Sequence, residues 1–81
     1  MITLNHKELP LSDIQVGQRA SVSALMSDGA DRRRMLDLGL VSGTQIEPLY
    51  KSPSGSPVAY LIRGAVIALR SDVSDKIMVL A

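Results

Sequence analysis

Eighty-one residues allow one small domain, and although 46% of them are apolar, the aromatic content is limited to two tyrosines, so any core is aliphatic. The absence of cysteine excludes disulfides and thiolate metal sites. Nine basic against eight acidic side chains leave a net charge of +1, which argues against a general polyanion binder while leaving room for a local basic patch. No apolar run approaches the roughly 20 residues of a membrane-spanning helix. Residues 1–10 lack the basic start and apolar centre of a secretory signal, which makes the cytoplasm the expected location.

Residues 1–8 carry the single histidine, His6, and read either as an N-terminal tail or as an edge strand. Pro10-Leu11-Ser12-Asp13-Ile14 reads as a turn or one helical turn, with Leu11 and Ile14 spaced to face the interior and Gly17 as punctuation. Over residues 19–26, Ala20, Val22 and Ala24 alternate with Ser21 and Ser23, the period of a half-buried strand. Ser27-Asp28-Gly29 breaks that strand and opens a helix. Asp28 is placed to cap it, and Asp31 puts negative charge in its first turn. Met35, Leu36, Leu38 and Leu40 supply its apolar side, and Gly39 ends it. A helix of about ten residues is marginal alone in water, so it must be held by packing.

A second strand spans residues 44–51, with Ile46 and Tyr50 expected on one face. Pro48 within it predicts either an edge position or a bulge, because proline has no ladder N–H. The run Ser52-Pro53-Ser54-Gly55-Ser56-Pro57 is a loop. Val58, Tyr60 and Ile62 then alternate with Ala59, Leu61 and Arg63. A tight connection at Gly64-Ala65 leads to a strand over residues 66–70, a capped turn over 71–75 and a last strand over 77–80. Five short strands with one helix inserted after the first predict a mainly β, small barrel, its ends closed to hide the sheet edges and one end plugged by the helix.

The segment Arg32-Arg33-Arg34-Met35-Leu36-Asp37-Leu38-Gly39-Leu40-Val41-Ser42-Gly43-Thr44 resembles the signature of the FeoA family. So do Leu11-x-Asp13-Ile14-x-x-Gly17, Gly55-x-Pro57-Val58, Gly64-x-x-Ile67-Ala68-Leu69-Arg70 and Ile77-x-Val79, in the right order from about residue 9 to the end. Ser42 departs from the family pattern by replacing a frequent proline, and Gly43 can still make the turn. The resemblance implies an SH3-like five-stranded barrel over residues 9–81 and a cytosolic companion of FeoB, the GTPase-linked transporter of ferrous iron. A related module forms the C-terminal domain of iron- and manganese-responsive repressors. With no helix-turn-helix ahead of it, this chain resembles the free-standing form.

Sharper chemistry finds little support in the residues. Successive helical positions point about 100° apart, so the three arginines cannot share one face, and single-stranded nucleic acid needs more stacking platforms than Tyr50 and Tyr60. Scattered carboxylates and one histidine do not make a transition-metal site, so no metal and no cofactor is expected. The serines have only His6 as a base, and no phosphate-binding glycine loop of the Walker type is present, so no enzyme is expected.

What remains is a binding surface. The residues singled out for partner binding are Arg32, Arg33 and Arg34 on the helix, Leu40 and Val41 at its exit, Pro53, Ser54 and Gly55 in the loop, and Leu61 and Val66 on the strands. The expected function is a non-enzymatic accessory role in ferrous iron uptake, through docking on the cytosolic part of a FeoB-like transporter. The alternatives are a regulatory or nucleic-acid-associated small barrel, and a homo-oligomer that pairs through an exposed edge.

Overall fold

Among the described residues, alternating aliphatic and polar side chains, punctuated by glycine, give a single six-stranded antiparallel sheet. The computed structural model describes residues 7–81. The strands are β1 (Glu8–Pro10), β2 (Ala20–Leu25), β3 (Gln45–Lys51), β4 (Val58–Ile62), β5 (Ala65–Leu69) and β6 (Ile77–Leu80), in the order β1-β6-β2-β3-β4-β5. A nine-residue helix, α1 (Gly29–Asp37), follows β2, and a single helical turn, α2 (Ser71–Ser74), precedes β6. The 3-10 turn at Leu11–Asp13 buries Leu11 as the spacing predicts, and Ile14 follows it into the core.

The mainly β, barrel-like reading holds, with two differences of detail. Glu8–Pro10 adds a sixth strand at the edge, so the helix follows the second strand. Among the described residues the sheet is not closed, since β1 and β5 are its two ends and do not pair. It is nevertheless strongly curled: Leu9 from β1 and Leu69 from β5 pack on the same core cluster, with Leu11, Val22, Met35, Leu40, Ile46, Tyr60, Ile62, Ile77 and Val79. His6 and the other residues of the 1–6 segment lie outside the described residues.

Pro48 satisfies both of its sequence expectations. Pairing of β2 with β3 stops at Ile46, so Pro48 lies beyond that ladder, and its carbonyl accepts a hydrogen bond from the Gly17 N–H at 2.9 Å. On the other side, the β3–β4 register shifts between Pro48 and Tyr50. That bulge corrects one expectation: Ile46 is buried while Tyr50 points outward and is 62% exposed. One extra residue reverses the side-chain alternation downstream of it.

The helix is held more lightly than a plug. Met35 is its only buried residue, Leu38 is half-buried just beyond it, and Leu36 is exposed. Asp28 occupies the capping position, but its side chain makes no cap hydrogen bond. Gly29, with φ at +58°, departs from helical geometry at the point the carboxylate would have to span. Among the described residues no helix is long and apolar enough to cross a membrane.

Candidate functional site: an arginine-lined cleft on the outer sheet face

The chain leaves α1 through a turn that Thr44 ties together. Gly39 takes φ of +91°, which only glycine adopts without strain, and its N–H bonds the Leu36 carbonyl at 2.9 Å. The Thr44 hydroxyl donates to the Gly39 carbonyl at 2.8 Å and accepts from the Val41 N–H at 3.3 Å. The Thr44 carbonyl accepts from the Val22 N–H, and the Gly43 N–H donates to the Val22 carbonyl, each at 2.8 Å. The turn is thereby fixed to β2 and forms one wall of an open cleft of about 560 Å³.

The opposite wall comes from the β4–β5 hairpin. Ile62 pairs with Ala65, so only Arg63 and Gly64 form the connection. Both have positive φ, 51° and 82°, as a two-residue hairpin turn with matching twist requires. Asn, Asp and Gly suit the first of these positions; Arg63 is the only non-glycine residue with positive φ among the described residues. Its side chain reaches back across Gly39, where a β-carbon would lie 2.6 Å from Arg63 Cδ.

Between these walls runs a row across the sheet. Glu47 faces Leu61 across β3–β4, and Leu61 faces Val66 across β4–β5. Arg19, just before β2, reaches Glu47 with Nε 3.3 Å from Oε1. Arg19, Glu47, Leu61 and Arg63 line the cleft together with residues 42–44. Among the described residues, Arg63 has no carboxylate within ion-pairing distance.

The structure separates the residues singled out from sequence. Leu61 lies in the cleft, and Val66 stands beside it as its cross-strand neighbour, 58% exposed. Val41 is exposed in the Thr44-tied turn. Leu40 is fully buried in the core, its N–H bonded to the Met35 carbonyl, so it cannot contact a partner. That corrects its placement on the docking surface: the turn sends residue 40 inward and residue 41 outward. Pro53, Ser54 and Gly55 are exposed in the β3–β4 loop, at the opposite end of β4 from Arg63. Arg32, Arg33 and Arg34 are exposed on α1 and do not line the cleft, and Arg32 Nη1 donates to the Leu25 carbonyl at 3.1 Å.

Arg19, Thr44, Glu47 and Arg63 were missed by the sequence reading. Only Arg63 carried a local signal, an arginine where a two-residue hairpin calls for Asn, Asp or Gly. Among the described residues no three His, Cys, Asp or Glu side chains gather as a metal site would require.

A small curled antiparallel sheet with an aliphatic core and a polar-rimmed cleft places the chain in the SH3-like fold class. The FeoA domain model matches residues 9–81, and the chain belongs to the FeoA family, which is associated with ferrous iron transport. The FeoA protein of Chlorobium tepidum is similar in structure, with TM-score 0.82 and 34% identity over 88% of this chain and 68% of that one. The FeoA-like protein of Clostridium acetobutylicum gives 0.82 and 30% over 90% and 85%. The zinc-complexed FeoA of Stenotrophomonas maltophilia, described as a prokaryotic SH3 domain protein, gives 0.79 and 25% over 88% of each chain. A manganese-dependent transcriptional repressor shares the fold alone, at 16% identity and TM-score 0.83. A search of curated proteins returned no match.

Proposed function

We propose that this chain is a non-enzymatic, cytoplasmic accessory protein of ferrous iron uptake that docks on the cytosolic GTPase part of a FeoB-like transporter and modulates it. The observation that carries this reading is the FeoA match over residues 9–81. The cleft adds physical support, since it offers cations, an apolar floor and a turn fixed by hydrogen bonds. Such a protein acts by binding, and it can shift the transporter only as far as it prefers one of the transporter's states. The repressor-like alternative rests on a likeness of fold alone and draws no support from the cleft.

The test is calorimetric titration of the purified chain into the cytosolic part of the transporter, loaded with GDP or with a non-hydrolysable GTP analogue. Binding with unequal affinity for the two forms is expected. No association with either form overturns the reading.

A further inference from the structure

The geometry points to the cleft as the seat of an acidic, extended peptide segment of a protein partner, one carboxylate of which pairs with the Arg63 guanidinium while a neighbouring apolar side chain rests on Leu61. This deepens the docking reading above and rests on it for the partner's being a protein.

Three observations carry it. Arg63 occupies a left-handed backbone position that costs a non-glycine residue free energy, where Asn or Gly would sit without strain. Strain kept at one residue points from the outlier to a role. Its side chain is laid across Gly39, where a β-carbon would come within 2.6 Å of Arg63 Cδ, so the glycine that ends the helix also leaves room for this side chain. Finally, Glu47 already has Arg19 at 3.3 Å, whereas Arg63 has no carboxylate partner among the described residues. The cleft therefore holds one exposed fork-shaped donor with no carboxylate partner among the described residues, and such a donor matches a carboxylate in bidentate geometry.

Charge selects the occupant. A nucleic-acid strand needs a track of cations along its phosphates. Here one arginine without a carboxylate partner among the described residues faces a wall that carries Glu47, with Leu61 as an apolar floor. One carboxylate with an apolar neighbour fits that arrangement better than a phosphate track.

The test is an NMR titration of the full, isotope-labelled chain with an end-capped peptide of alternating Asp and Leu, with its Asn-Leu counterpart, and with a thymidine oligonucleotide. The Asp peptide is expected to move the amide resonances of Gly43, Thr44, Leu61 and Arg63 saturably, and the Asn peptide to bind about tenfold more weakly. Arg63→Asn, which suits the turn, should keep the fold and lose the preference for the acidic peptide. Arg63→Lys, which keeps the charge but not the fork, should fall between.

Equal response to the two peptides, no response at the cleft, an unaltered preference in Arg63→Asn, or tighter seating of the oligonucleotide overturns the proposal. The transporter's cytosolic part is titrated in parallel. If the Asp peptide seats and the transporter does not bind, the docking reading fails and the cleft assignment stands. If the transporter binds but Arg63→Asn binds it equally well, the cleft assignment fails and the docking reading stands.

Discussion

Arg63 lies across Gly39, near enough that a β-carbon on Gly39 would come within 2.6 Å of Arg63 Cδ. Gly39 also holds φ at +91°, so two penalties meet at one position. Gly39→Ala is expected to destabilise the domain by about 2 kcal/mol, the sum of backbone strain and a displaced side chain. In an Arg63→Ser background the steric part disappears and only the backbone part, about 1 kcal/mol, remains. A double-mutant cycle by chemical denaturation measures the difference as a coupling energy.

Thr44 makes two side-chain hydrogen bonds inside the turn that forms the cleft wall. Thr44→Val keeps the shape and removes both, leaving the half-buried Gly39 carbonyl with the Val41 N–H as its remaining donor. A loss of about 1–2 kcal/mol is expected in urea denaturation. The amide resonances of Val41 and Gly43 should broaden or shift in the same variant.

Leu40 and Leu61 separate packing from surface chemistry. Leu40 is 0% exposed and Leu61 37%. Leu40→Ala should cost about 2–5 kcal/mol through the cavity it leaves. Leu61→Ala should change stability by about 0.5 kcal/mol or less, while weakening association with the transporter's cytosolic part. Thermal melts and calorimetric titrations on both variants distinguish the two roles.

Ser27, between β2 and α1, has a buried hydroxyl oxygen with no hydrogen-bond partner among the described residues. An unsatisfied buried hydroxyl carries its desolvation cost with nothing in return. Ser27→Ala is therefore expected to be neutral or to stabilise by about 1 kcal/mol. A lower midpoint of denaturation in the alanine variant would contradict this account.

Burial pushes the Tyr60 hydroxyl above its ordinary pKa; the adjacent Ser74 hydroxyl pulls it partly back, and the Asp75 charge adds to the rise. The unfolded chain thus releases this proton at lower pH than the folded one. Stability from Tyr60 is fully present below the ordinary tyrosine range and is lost as the pH rises through it towards the folded-state value. Denaturation midpoints measured against alkaline pH should fall more steeply for the native chain than for Tyr60→Phe.

Much of this fold was legible from the residues. Proline within residues 44–51 demanded an edge or a bulge, and Pro48 has both. Leu11 and Ile14, four positions of sequence around a short turn, both reached the core. Surface exposure was legible where a residue's side of the sheet followed from simple alternation, as for Leu61. It failed at Leu40, where a glycine-ended helix turns the next residue inward, and at Tyr50, where a bulge reverses the count. The capping role of Asp28 failed for a similar reason, because a positive φ at Gly29 intervenes.

By itself the sequence determined an aliphatic core, short punctuated strands and the places where the chain must turn. Those properties follow from steric preferences and apolar spacing within a few residues. Only the tertiary structure decided that Arg63 would cover Gly39, that Arg19 would meet Glu47 across 28 residues of chain, and that Leu61 would lie between them. Such meetings depend on strand register and on the curl of the sheet, and both are set by how the whole core packs.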